Sequence, residues 1–406
     1  MAMTTASPTL VLRYADVGVA TYASLRVVGQ PDATVTWVID DATLATVRDL
    51  LTDALPDPRT AETSREAIER AVTAGSFANH AAEQELANIL GESLIPPAGW
   101  QLITECAASP LPALFVAPTS RLATVPWSVL ALNTGGDAPR LIELADILMA
   151  VPPNIANSPR RPSPWDQRRD GAPLLILDPR VPGQRPDSAL GSVLGRPDAH
   201  SQLARYFAAL MERGNVLPTV DNAVELFRSA DADRGWLAEQ LTRQPSRLLF
   251  VGHATAADGD VGRADRAAVH LADHQPLTAA DMMTAKLPFP PRAALLACSS
   301  GGDYRFDEAT GLVAALILGG AVLVTATLWS LPTTAGYRQF CSAAGELADP
   351  MGEAVMAVDT AHQAEDAGRA VNSWQRGQMN RWRAGDVTAS PLWWAALATF
   401  AVDGSR

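Results

Sequence analysis

Two side chains stand out for where they fall in the chain: the imidazole of His253 and the thiol of Cys298. Each follows a short apolar run. Arg247-Leu248-Leu249-Phe250-Val251 leads into Gly252-His253-Ala254, and Ala293-Ala294-Leu295-Leu296-Ala297 stops at Cys298 and a polar, glycine-containing turn. Runs of this length bounded by turn residues have the pattern of strands buried on both faces. The pair lies 45 positions apart (298 minus 253), room for a crossover and a long loop but not for a local turn. Parallel neighbouring strands would bring both side chains to the carboxyl edge of one sheet, where open α/β sheets form their ligand crevices. The chemistry of such a pair is nucleophilic. A free thiol has a pKa of about 8.5 and attacks as the thiolate, so an imidazole within reach takes its proton and later delivers it to the leaving amine. Two donors must hold the tetrahedral oxyanion, and the backbone N–H groups of Ala254 and Cys298 are the candidates. Singly, a cysteine is commonly a small buried hydrophobe, and a histidine after a strand is commonly a loop residue. The spaced pair carries the catalytic expectation.

Five carboxylates flank the expected cleft: Asp258 and Asp260 after the histidine, and Asp303, Asp307 and Glu308 after the cysteine. An acidic pocket built from Asp260, Asp303, Asp307 or Glu308 would select a basic side chain before the scissile bond, although loop carboxylates serve equally as solvated surface. Asp178 ends another apolar run, Leu174 to Leu177, and reads as a turn former with Pro179. Cys106 and Cys341 are read as structural. His270 and His274 are four apart but lack the glutamate of HExxH and precede Pro276, so no metal site is expected. Gly301-Gly302 is not followed by GKS or GKT and is no phosphate loop. No cofactor is called for.

Composition narrows the classes. The chain has 406 residues, 48% of them hydrophobic, enough for a full α/β core and too apolar for general disorder. Its net charge of −12, with no Lys/Arg cluster, argues against direct nucleic-acid binding. Three cysteines without CxxC spacing make neither a disulfide framework nor a thiolate zinc site, and a free thiol fits a reducing cytoplasm. The first residues lack a basic start followed by an apolar core, so no signal peptide is expected. The longest apolar stretch, 311–331, is interrupted by glycines and reads as protein core, not a membrane span.

Three alternating runs within residues 9–40 predict a small antiparallel meander. Helical periodicity follows from 41 to about 94, in roughly three helices broken at Asp57-Pro58 and Pro96-Pro97. Residues 114–118 and 122–127 are predicted as a strand and its return. A Pro/Arg-rich stretch, 157–173, reads as a linker, and 181–200 as a mobile surface loop. Helices are expected at 202–213 and 232–242, a short one from a capping box at Thr278, a buried one over 308–318, and a further strand over 321–329. Residues 390–400 are expected to close the domain as a strand. The organisation is therefore an N-terminal region, 1–156, a linker, 157–173, and a catalytic domain, 174–406. The fold class is α/β, a mainly parallel sheet sandwiched by helices and preceded by a smaller mixed α/β region. No internal repeat of solenoid length is found.

The order of these pieces from about residue 121 onward resembles the CHAT family of caspase-like, separase-related domains. The histidine stands roughly 50 residues upstream of the cysteine, as in caspase-type cysteine proteases. The matching residues are Arg121-Leu122, Val125-Pro126-Trp127-Ser128-Val129-Leu130, Asp178-Pro179, Gly252-His253, Ala297-Cys298-Ser299-Ser300-Gly301, the Glu308 to Gly311 helix start, the 312–329 approach to Leu328-Trp329, and Pro391 with Trp394-Ala395. The resemblance implies a caspase-like domain that is a cysteine endopeptidase, with Cys298 as nucleophile and His253 as general base. It implies a protein substrate, a protein activator or regulator, and a place in bacterial regulation or defence. Three features depart from the family pattern: Ala254 stands where the family has glycine, no acidic residue follows Trp329 in 330–334, and TPR repeats are absent. These departures keep a second expectation open, an inactive caspase-like scaffold that binds a partner.

Overall fold

The computed structural model describes residues 7–132, 138–185, 190–196, 198–256, 264–298, 300–301 and 311–402. The predicted meander forms β1 (Thr9–Asp16), β2 (Ala20–Val27) and β3 (Gln30–Asp40), paired antiparallel in sequence. Alternation explains it: Leu10, Leu12 and Tyr14 of β1 point inward while their neighbours face out. The three predicted helices follow as Asp41–Ala54, Ser64–Thr73 and His80–Leu94, capped by Asp40, Thr63 and Asn79. A fourth, Pro97–Cys106, starts where the proline pair was read as a break, because proline at the first helical position gives up an N–H that has no helical partner anyway.

The meander is not an appendage. β1 pairs parallel with β4 (Ala113–Ala117), which continues into β5 (Asp146–Ala150), β6 (Leu174–Leu177) and β7 (Arg247–Val251) in chain order. A small antiparallel sheet follows, β8 (Ala254–Thr255), β9 (Ala268–Val269) and β10 (Leu277–Thr278). The chain then returns to the large sheet with β11 (Arg292–Leu296), β12 (Leu323–Thr327) and β13 (Leu397–Ala401). The ten strands of that sheet lie in the order β3-β2-β1-β4-β5-β13-β12-β11-β7-β6. β6, β7, β11 and β12 are mutually parallel, and every residue in them is buried, including Arg247, Arg292, Thr325 and Thr327 among otherwise apolar runs. The fold is thus mixed α/β on a mostly parallel sheet, with antiparallel pairing in the meander and between β12 and β13. One hydrophobic cluster runs from Leu10 to Val402.

Three local expectations are corrected. Residues 122–127 form no return strand: Ser120–Leu122 is a 3₁₀ turn, and Pro126 removes a donor that a ladder would need. Strand β5 was not foreseen, because its leading Asp146 looks like a surface residue until Arg369 and Arg376 pair with it. The closing segment is helix Pro391–Trp394, capped by Ser390, and only then β13. Among the described residues, no helix is long and apolar enough to cross a membrane, and no group of three or more His, Cys, Asp and Glu could hold a metal ion.

Candidate active site

In the parallel β7–β11 pair, Val251 stands opposite Leu296. His253 and Cys298 each lie two residues beyond that pair, so the backbone brings both to the same level of the same sheet edge. The Gly252 N–H to Leu296 O bond, 3.3 Å, extends the ladder one step toward them. On the far side of β11, the turn after Cys298 is tied to β12. Ser300 is buried; its hydroxyl donates to Leu295 O (2.6 Å) and accepts from the Thr327 N–H (3.1 Å), and the Gly301 N–H reaches Thr327 O at 2.9 Å. From the sequence this segment reads only as a polar, glycine-containing turn.

The histidine is held from the opposite side. Its Nε2 lies 3.0 Å from the Gly191 carbonyl oxygen. A carbonyl can only accept, so Nε2 carries the proton and Nδ1 is the nitrogen left to act as a base. The His270 N–H donates to the His253 carbonyl (2.9 Å), and Ala254 pairs with Val269 across β8 and β9. That bond makes Ala254–Val269 a non-hydrogen-bonded pair, which turns the Ala254 N–H away from β9. Ala254 has no positive φ, so a glycine is not needed for this geometry. The His270 imidazole sits 2.6 Å from Thr255 Oγ1, and burial, then the neighbouring His253, hold its pKa below the ordinary value.

Cys298 and His253 are not hydrogen-bonded to one another. The thiol is half-buried, and the Ser330 side chain, which follows β12, favours the thiolate. Burial outweighs this and pushes the thiol pKa up, helped by the Asp57 carboxylate. Asp57 comes from the loop between the first two helices, and its Oδ1 accepts the Ser330 N–H at 3.0 Å. The 330–334 segment has no acidic residue of its own, and Asp57 supplies one from 273 positions away. Over the sulfur lies a cavity of about 10 Å³ lined by Val193, Gly252, Cys298, Leu331, Pro332 and Met351. That is room for no more than about one water. Beyond Val193, Thr333 and Met351, which line both spaces, is a cavity of about 580 Å³.

The segment 190–196 therefore does two things at once: Gly191 engages the histidine and Val193, 9% exposed, closes the crevice over the cysteine. The part of the predicted surface loop described here is anchored, with Ser192 Oγ donating to Asp178 Oδ2 at 2.5 Å. The carboxylates Asp258, Asp260, Asp303, Asp307 and Glu308 lie outside the described residues. Cys106 ends the helix Pro97–Cys106, and Cys341 caps the helix Thr334–Phe340.

The mostly parallel α/β sheet thus presents a thiol and an imidazole at one edge. The CHAT domain family matches residues 84–404, and the chain belongs to that family. Among solved structures, two of the Saccharomyces cerevisiae separase–securin complex, at 2.6 and 3.0 Å resolution, are similar at 12% identity and a TM-score of 0.37. Each match covers 90% of this chain and 22% or 23% of the other, so the chain spans less than a quarter of that protein's length. No curated protein matches the sequence.

Proposed function

We propose that this chain is a cysteine endopeptidase of CHAT type, in a resting arrangement, that cleaves a protein partner. Cys298 is the nucleophile, His253 the general base, and the Ala254 and Cys298 N–H groups receive the oxyanion. The observation that carries this reading is the paired register of β7 and β11, together with the carbonyl that leaves His253 Nδ1 free to accept a proton. In the resting arrangement the Ser330 side chain lies beside the sulfur and Val193 covers it; turning the Val193 side chain aside, with Gly191 still bonded to the histidine, joins the crevice to the larger cavity and admits a peptide. Rotation about the Cys298 Cα–Cβ bond then brings Sγ to the imidazole, which takes the thiol proton as the thiolate attacks the carbonyl carbon. The imidazolium returns the proton to the leaving amine, and water hydrolyses the acyl-enzyme. Asp57 places a carboxylate beside the reacting sulfur and supports a preference for a basic side chain next to the scissile bond, the selection also expected of Asp260, Asp303, Asp307 and Glu308. The acidic chain suits protein partners, a substrate and an activator, in a bacterial cytoplasm, with no direct role for nucleic acid or membrane.

The absence of a Cys298–His253 hydrogen bond favours a second reading, a scaffold that binds a partner without chemistry. One experiment separates them. Full-length protein, with and without candidate partner proteins, is incubated with a proteome-derived peptide library, wild type beside Cys298→Ala and His253→Ala. Cleavage by wild type that both substitutions abolish supports the peptidase. Cleavage that survives Cys298→Ala, or none under any condition while a partner still binds, overturns it.

A further inference from the structure

The grip on the Gly191 carbonyl comes from an ion pair between a buried carboxylate, Asp178, and a part-buried arginine, Arg228, that is not among the matched motif residues. Asp178, 1% exposed, ends β6, and Arg228 comes from the segment leading out of the 3₁₀ turn Ala223–Leu226. Arg228 Nη1 donates to Asp178 Oδ1 (3.2 Å) and to the Gly191 carbonyl (3.1 Å), the same oxygen that receives His253 Nε2–H at 3.0 Å. The other carboxylate oxygen, Asp178 Oδ2, receives the Ser192 hydroxyl (2.5 Å) and the Leu194 N–H (3.3 Å). Asp178 and Arg228 thus bracket residues 191–194 and fix where the carbonyl points.

The backbone at both residues is unusual. Asp178 has φ +53° and Arg228 φ +57°, the left-handed region; aspartate enters it readily, whereas a long side chain such as arginine seldom does. Strain of this kind persists where surrounding bonds over-determine it, and it clusters at functional sites. The bonds are present: Asp178 N–H to Val251 O (2.6 Å) and Arg228 N–H to Leu177 O (3.1 Å) tie the two turns to the ends of β7 and β6.

We propose that Asp178 and Arg228 are positioning residues for His253: by holding the Gly191 carbonyl they fix the Nε2–H tautomer and keep Nδ1 as the base. This rests on the reading of His253 as the general base. Neither residue touches a reacting atom. Among the described residues His270 is a titratable neighbour of His253, so His270→Gln serves as a background in which it cannot titrate.

The test is the shape of the pH profile for alkylation of Cys298 by iodoacetamide in the full chain, followed by peptide mass spectrometry between pH 6 and 9.5. Shape is used because loosening 190–196 changes access, and hence amplitude, at every pH. In wild type, labelled from the arrangement in which Val193 is turned aside and the sulfur has reached the imidazole, the ratio of the rate at pH 7 to that at pH 9.5 should exceed that of Cys106, and His253→Ala should abolish the excess. Asp178→Asn and Arg228→Ala should lower the Cys298 ratio about tenfold, toward that of an ordinary thiol with a pKa of about 8.5. Arg228→Lys, which keeps the cation, should restore part of it. If wild type and His253→Ala share one profile, the base assignment itself fails. If the wild-type profile depends on His253 but Asp178→Asn and Arg228→Ala reproduce it, the positioning role is overturned and the base assignment stands. Faster labelling in the variants with unchanged shape means a merely structural clasp, and also overturns the proposal.

Discussion

Truncating Val193 to alanine should make Cys298 reactive without disturbing the rest of the sheet edge. The valine is 9% exposed and lines the cavity of about 10 Å³ above the sulfur, so reagent reaches the thiol only when the Val193 side chain moves aside. Val193→Ala removes two buried methyl groups. At about 0.8 kcal/mol each, the closed arrangement loses about 1.6 kcal/mol relative to the open one. Since 1.4 kcal/mol is about a factor of ten in an equilibrium constant, the open population should rise roughly fifteen-fold. When reclosing is faster than alkylation, the labelling rate follows that population. The assay is iodoacetamide labelling of the full chain at pH 8.5, scored separately for Cys298 and Cys106, with a thermal melt of each protein alongside. The expected result is a roughly fifteen-fold faster Cys298 and an unchanged Cys106. A Cys298 rate within twofold of wild type would show that Val193 does not guard the sulfur. An equal rise at Cys106 would show general loosening, and would refute the argument just as firmly.

Two further outcomes test the packing that carries the site. His362 is fully buried, its Nε2 bonded to Thr325 Oγ1 (2.8 Å), and burial followed by Arg292 and Arg247 depresses its pKa to about 3. The folded state therefore binds this proton less readily than the unfolded chain, with its pKa of about 6.5, so stability is full above that value and lost as pH falls from about 6.5 toward 3. About 2 kcal/mol should be lost between pH 7 and pH 5 on this account, and urea unfolding of wild type and His362→Gln should differ in slope over that window; parallel pH dependences would contradict it. Glu83 and Arg140 form an ion pair with side chains 0% and 1% exposed, joining the helix His80–Leu94 to the turn before Leu141–Leu144. Glu83→Ala strands the arginine and should cost about 3–5 kcal/mol in urea unfolding; a loss under about 1 kcal/mol would mean that water reaches the guanidinium.

How much of this could be seen in the sequence depended on distance along the chain. Val251 and Leu296 end unbroken apolar runs, so strands β7 and β11 and the residues just past them, His253 and Cys298, were legible from local pattern alone. The meander was equally plain, because one buried face imposes strict alternation on Leu10, Leu12 and Tyr14. Asp57, Gly191 and Arg228 were not legible. Asp57 read as a helix break and Gly191 as part of a loop, since nothing local distinguishes a carboxylate or carbonyl that meets its partner 273 or 62 residues later. Asp178 was singled out as a strand end, but its partner Arg228, 50 positions on, follows a one-turn 3₁₀ segment with no periodicity to mark it. Strand β5 was missed for the same reason: the arginines that neutralise Asp146 lie more than 200 positions away.

The parallel pairing of β1 with β4 has a practical corollary for anyone trimming the protein to residues 84–404. Such a fragment discards β1 to β3 together with Asp57. The backbone groups along one side of Leu114, Phe115 and Val116 would then face solvent unsatisfied, next to apolar surface that Leu10 and Leu12 had covered. A bare margin of that kind recruits strands from other molecules, so the shortened protein is apt to self-associate for reasons unrelated to its chemistry.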